Sequence, residues 1–211
     1  MTHWPLFDVT VRTSWLELRP VREADMWELI ELADRGVHDP ATMPFLIPWT
    51  DLPAPERHLS TAQFYWGCWA SWSAASWRYP LVARVDGEVV GAIDLRADDF
   101  IHCREAETGS FLGLEFQGRG LGTEMRHAAL HLAFAGLGAR AATSGAFWDN
   151  HASRGVSRKL GYETVGETLK DRRGAPDRCL QFRLERAAWD QVRRDDIVIE
   201  GLDAALLMFG L

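Results

Sequence analysis

Lysine is nearly absent from this chain: of 23 basic residues, only Lys159 and Lys170 are not arginine. We read that skew as composition bias rather than as a device. Positive charge is also short overall, since 30 acidic residues leave a net charge of −7. Phosphate contacts dominate nucleic-acid affinity, and the pair Arg172-Arg173 is too little to form a basic patch, so no nucleic-acid partner is expected. The three cysteines, Cys68, Cys103 and Cys179, are odd in number, far apart and without zinc-type spacing. That excludes a disulfide framework and predicts reduced thiols in a cytoplasm. Apolar runs are interrupted by glycine or polar residues and are too short for a bilayer span. Met1 to Val11 lacks a basic stretch followed by an apolar one, so no signal peptide and no membrane partner are expected. Linker composition, low complexity and repeats are missing too, which predicts a single domain over 1–211.

What is present is 47% hydrophobic content, enough for one substantial core. A strand is read at Trp15–Arg19, ended by Pro20, then a helix over about Arg22–Asp34. The loop His38–Pro55 carries Met43, Phe45, Leu46, Ile47 and Trp49. So many apolar groups must pack on something, as core cover or as the wall of a substrate pocket. A second helix is read over Glu56–Trp77, with Trp66, Trp69 and Trp72 three apart, as core or as a homodimer interface. Strands Pro80–Val85 and Glu88–Leu95 flank Asp86-Gly87, a hairpin turn signal. Next come a strand at Thr108–Leu114, a helix at Gly120–Ala135, a strand at Ala139–Phe147 and a helix at Ala152–Leu160. Strands at Glu163–Thr168 and Cys179–Leu184 follow, then a short helix around Ala187–Val192 and a strand at Ile197–Ile199. The order predicts an α/β chain with a mixed, mostly antiparallel sheet of about seven strands and helices on both faces. Its strand–helix–strand unit Thr108–Phe147 predicts one parallel pair.

The most informative stretch is Gln117-Gly118-Arg119-Gly120-Leu121-Gly122-Thr123, between a strand and an amphipathic helix. Alternating glycines let backbone amides approach a ligand, and the helix adds its positive end, which together suit a pyrophosphate. The spacing departs from the dinucleotide-fold and Walker patterns. A tight turn before a helix is the alternative.

At this point the chain resembles the GNAT acyltransferases. Gln117, Gly120 and Gly122 match the family's coenzyme A motif. Asn150, Ser153, Leu160, Gly161 and Tyr162 match its second block, in the right order. The resemblance covers roughly Trp15–Leu184, leaving 185–211 as a C-terminal extension. Within the family the chain looks like the RimJ/RimL branch, and closer still to an actinobacterial subgroup with a mycobacterial succinyltransferase. The resemblance implies the GNAT fold and transfer of an acyl group from acetyl-CoA or succinyl-CoA to an amine acceptor through a ternary complex. It places the cofactor against Leu112, Gly113 and Leu114, against Gln117 through Thr123, and against Asn150, Ser153 and Ser157. It also implies that the strand near Leu112–Leu114 offers a backbone N–H to the thioester carbonyl.

Acyl transfer needs a base for the amine, and Glu107 is the first choice, with a solvated strand-end charge as the alternative. Asp94 is second and His38 third. His38, Phe45 and Trp49 are read as acceptor-binding. Many relatives place a tyrosine acid where this chain has Ser157; the RimJ/RimL likeness implies Ser153 instead as the hydrogen-bond donor to sulfur. Asn150 is read both as a pantetheine ligand and as a helix cap. His127 and His131 stand four apart without a third ligand, so no metal is expected. A non-catalytic acyl-CoA sensor or an interaction protein on the same scaffold is the alternative function.

Overall fold

The computed structural model describes residues 3–211; Met1 and Thr2, at the start of the segment read above for a leader, lie outside the described residues. Nine strands form one sheet among these residues: β1 (Thr10–Arg12), β2 (Glu17–Pro20), β3 (Ser76–Val85), β4 (Glu88–Asp98), β5 (Glu105–Leu112), β6 (Ala141–Phe147), β7 (Glu163–Arg172), β8 (Ala175–Glu185) and β9 (Val198–Glu200). The helices are α1 (Glu23–Arg35), α2 (Ala54–Ala70), α3 (Phe100–Cys103), α4 (Leu121–His131), α5 (His151–Lys159) and α6 (Arg186–Val192). The sheet order is β7-β8-β6-β5-β4-β3-β2-β1-β9. Every neighbouring pair is antiparallel except β5 and β6, the pair joined by α4.

The sheet is larger than the seven strands expected because β1, unread in the sequence, joins its far edge and pairs there with the tail strand read at Ile197–Ile199, which forms as β9. Three residues are too few to show alternation. The tail is thereby stitched back to the start of the chain, and Phe209 ends fully buried. The β7–β8 turn is also tighter than expected, with pairing up to Arg172 and Ala175.

Helix α2 stops at Ala70 rather than running on to Trp77. The run Ser71-Trp72-Ser73-Ala74-Ala75-Ser76 offers the backbone competing partners. The Ser71 hydroxyl donates to the Gly67 carbonyl at 2.7 Å, and the Ser73 hydroxyl to the Ser76 carbonyl at 3.2 Å. This break divides the tryptophan stripe. Trp69 and Trp72 turn inward and stack toward Trp77, Tyr79 and Phe209 with ring centroids 5–6 Å apart. Trp66 stays half-exposed, edge-on to Trp27.

The two sheet faces are assigned by register. Asp94 lies opposite Gly109 and Ile93 opposite Ser110, so the two pairs point to opposite faces. Helices α1 and α2 cover the face of Asp94 and Gly109, where Leu32 closes on Gly113. Helix α4 covers the other, where Arg126 reaches Ser110.

The start of α1 is fixed by a fully buried carboxylate. Asp25 accepts the Arg22 amide at 3.0 Å and binds Arg19 at 2.6 Å and Arg84 at 2.7 Å, tying α1 to β2 and β3. Removing it leaves two guanidinium groups without their shared partner. Asp25→Ala is therefore expected to destabilise the protein by about 3 kcal/mol, measured as a lower urea midpoint at unchanged slope.

Candidate active site

The site begins where the sheet comes apart. β5 and β6 pair over three residues only, Glu105–Glu107 with Ala141–Thr143. Beyond them β5 continues to Leu112 and β6 to Phe147 without a shared ladder, so a wedge opens between them. On its other side β5 stays paired to β4, and the Gly113 amide donates to the Val90 carbonyl at 3.0 Å. Antiparallel alternation then turns the amides of Ser110 and Leu112 into the wedge. Of Leu112, Gly113 and Leu114, only Leu112 turns its amide into the wedge. The Gly113 amide is bound to Val90, and the Leu114 amide donates to the Gly36 carbonyl at 3.0 Å.

The glycine-rich turn sits at the wide end of the wedge. Gly118 and Gly120 have φ of +74° and +85°, a region that costs a residue with a Cβ about 1–2 kcal/mol. These two residues reverse the chain so that α4 starts with its amides outward. Thr123 and Glu124 donate back to the Gly120 carbonyl at 3.0 and 3.1 Å. The five amides of Gly118, Arg119, Gly120, Leu121 and Gly122 find no acceptor among the described residues. Five free N–H groups at a helix N-terminus form an anion cradle. Gly122 lies between the Leu112 and Val156 side chains, so the end of β5, the start of α4 and α5 meet there. Trp15, expected only as the start of a strand and lying just before β2, is an exposed indole 3.9 Å from where a Gly120 Cβ would stand.

The Gln117 side chain is engaged within the protein. Its side-chain amide donates to the Val37 carbonyl at 2.8 Å and the Leu112 carbonyl at 3.0 Å, pinning the segment after α1 to the end of β5. Asn150 caps α5, its side-chain oxygen accepting the Ser153 amide at 3.1 Å. Ser153 is partly exposed, whereas Ser157 is 1% exposed and its hydroxyl has no partner.

On the face of α1 and α2 the apolar loop after α1 approaches the wedge. His38, Phe45, Trp49 and Phe111 form a chain of rings with successive centroids 5.4–5.5 Å apart, so the apolar loop packs on β5 beside the wedge. His38 is held at both nitrogens, by the Asp39 carbonyl at 2.8 Å and the Thr50 hydroxyl at 2.7 Å, which leaves no nitrogen free to act as a base. Arginines of the β7–β8 turn hold the loop from outside. Arg172 donates to the Met43 carbonyl at 2.9 Å, and Arg173 grips Asp51 with two bonds of 2.7 Å.

Glu107 and Asp94 are one step apart on this face, and the structure separates them. Glu107 is bound by the guanidinium of Arg96, its partner across β4 and β5, and stays partly exposed. Asp94 lies deeper, beside Tyr65 and Cys68 of α2, with Arg78 at 3.5 Å. Burial pushes its carboxyl up to about 6, against the pull of Arg78, Arg96 and Arg126 and with the push of Glu107. The space before it is open because Gly109 has no side chain: a Cβ there would stand 3.0 Å from the Asp94 Oδ1.

A model of the acetyltransferase (GNAT) domain family matches residues 16–163. The chain belongs to this family. Solved structures with the same fold include Mycobacterium smegmatis RimJ in complex with CoA-disulfide, at TM-score 0.70 and 22% identity, covering 90% of this chain and 96% of that one. RimL, the ribosomal L7/L12 alpha-N-protein acetyltransferase in complex with coenzyme A, has TM-score 0.66 and 19% identity, covering 83% of this chain and 97% of that one. A Vibrio cholerae spermidine N-acetyltransferase SpeG chimera has TM-score 0.63 and 16% identity, covering 83% and 98%. At these identities the likeness concerns the fold. As a GNAT domain, the chain carries its glycine turn and split sheet within the matched region.

Gln117→Leu keeps the side-chain volume and leaves two carbonyls without donors. It is expected to lower stability by about 2 kcal/mol. Hydrogen exchange should quicken at the Leu114 amide, whose acceptor Gly36 is next to the released segment.

Proposed function

We propose that the protein is an acyl-CoA-dependent N-acyltransferase of the cytoplasm, taking an acetyl or succinyl group to a primary amine. The observation that carries this reading is the set of five free amides, Gly118–Gly122, opening onto the split between β5 and β6. A coenzyme A diphosphate fits those donors, and the pantetheine arm extends down the wedge past Val156 and the Asn150 side-chain amide. The thioester carbonyl then meets the Ser110 and Leu112 amides, an arrangement that holds polarising donors in place before reaction.

The acceptor amine enters from the opposite side, under the His38–Phe45–Trp49–Phe111 wall. Asp94 is the better base of the two carboxylates. Its raised pKa keeps it able to take a proton near neutrality, while Glu107 is already committed to Arg96. The amine nitrogen forms the C–N bond, the C–S bond breaks with its electron pair going to sulfur, and the amine proton passes to Asp94 directly or through one water.

Calorimetry with coenzyme A and thiol release with acetyl-CoA and succinyl-CoA across an amine panel test this reading. Gly120→Val should weaken coenzyme A binding at least tenfold, because it forces a branched side chain into a left-handed backbone. Absence of coenzyme A binding by the unaltered protein would refute the assignment.

Asp94→Asn should lower kcat by about 10²–10³ with coenzyme A affinity unchanged, and Glu107→Gln by less than about threefold. Activity of the unaltered enzyme should rise with pH through about 6 and then level, since Asp94 must be ionised to accept the proton. Stability has the opposite slope. The carboxyl is raised in the folded state, so between about 4 and 6 the folded chain holds more proton than the unfolded one and loses stability as pH rises. At pH 7 Asp94→Asn should therefore be more stable, by up to about 3 kcal/mol, read as a raised Tm in an inactive variant.

A further inference from the structure

Arg126 is a buried cation with no anion bonded to it, and Asp94 feels its charge only from the other face of the sheet. It lies in the second turn of α4 and is 3% exposed. Its two bonds go to neutral hydroxyls, Ser144 Oγ at 3.2 Å and Ser110 Oγ at 3.3 Å, both long for a guanidinium. Its Nε–H has no partner at all. No carboxylate among the described residues is within salt-bridge distance of it. Asp94 and Glu107 lie on the other face of the sheet, in contact with Arg78 and Arg96. Removing a guanidinium from water without pairing it is expensive, and a purely structural arginine finds a carboxylate.

The position of this charge gives it a use. Ser110 and Ser144 stand just past the three-residue β5–β6 ladder, one on each strand. The guanidinium therefore bridges the two strands at the closed end of the wedge, on the α4 side. A ligand anchored by its diphosphate on the cradle and running down the wedge brings its far end, the sulfur, to that crotch. The inference thus rests on the coenzyme A reading above.

We propose that Arg126 stabilises the thiolate of coenzyme A as it leaves. The thioester in the ground state is neutral and gains little from the cation. When the C–S bond breaks and its electron pair moves to sulfur, a full negative charge forms beside a positive one held ready in a poorly solvated place. An interaction made only as the bond breaks lowers the barrier rather than tightening binding. Arginine cannot give up its proton, so it acts by charge and hydrogen bonding, and the thiolate takes its proton from water on release. This role would replace an acid on α5, where Ser157 offers only a short hydroxyl.

The test needs no acceptor. Free coenzyme A, bound to the protein, carries the same thiol that leaves in the reaction. Its pKa is read from the pH dependence of its alkylation by iodoacetamide, with the coenzyme A adduct counted by mass spectrometry. In the unaltered protein the bound thiol should ionise about one unit or more below free coenzyme A. Arg126→Met should return it to the free value while the coenzyme A dissociation constant changes less than about threefold, and Arg126→Lys should keep part of the shift. A bound thiol with the pKa of free coenzyme A in the unaltered protein would overturn the proposal, whatever the variants do, and would leave the cradle assignment standing. Failure of the unaltered protein to bind coenzyme A would overturn both.

Discussion

The structure depends on how briefly β5 and β6 stay together. Three residues on each strand share a ladder, and then the sheet must choose between pairing and opening. It opens because each strand is held from its other side, β5 by β4 over six register pairs and β6 by β8 over seven. Neither can bend back toward its parallel neighbour without breaking its antiparallel one. Amides that would have completed the ladder are left facing a gap. Unpaired backbone donors are costly in an interior, and here they border a space that a ligand's own amides and carbonyl can fill.

Everything else in the site is arranged around the gap. The glycine turn places α4 beneath it with its amides outward, and the Gln117 side chain locks that turn to the end of β5. The two faces of the sheet then carry different electrostatics at the same depth. Arg126 stands unneutralised on the α4 side, while Asp94, Glu107, Arg78 and Arg96 form a partly compensated cluster on the α1 and α2 side. One face can thus accept negative charge and the other a proton, which is the polarity that moving an acyl group from sulfur to nitrogen requires.

Much of this was legible in the sequence where the signal was local. The Asp86-Gly87 hairpin, the glycine turn, α4 and the Asn150 cap all lie where turn chemistry and periodicity place them, and β5–α4–β6 forms the expected parallel unit. Long-range arrangements were not legible. The choice between Glu107 and Asp94 turns on Arg96 lying across the β4–β5 register and on the depth of α2, neither of which spacing reveals. β1 is too short to show a pattern. The end of α2 at Ser71 was masked by tryptophans continuing at helical spacing past the last helical turn. Arg126 did leave a trace, since it falls in the apolar stripe of α4 with Gly122, Ala129 and Leu130, three or four residues from each. A charged residue in such a stripe is a reason to look for what it faces.

The arginine struts at the β7–β8 turn have a consequence for how the molecule is made. The aromatic wall beside the wedge, residues 38 to 51, is fastened by Arg172 and Arg173, which lie more than 120 positions later in the chain. The wall is therefore an early stretch that a late one completes. During synthesis the glycine turn and α4 can assemble while that wall still waits for its braces. A chain cut short before the hairpin would lose a pocket far from the cut as well as two strands at the sheet's edge.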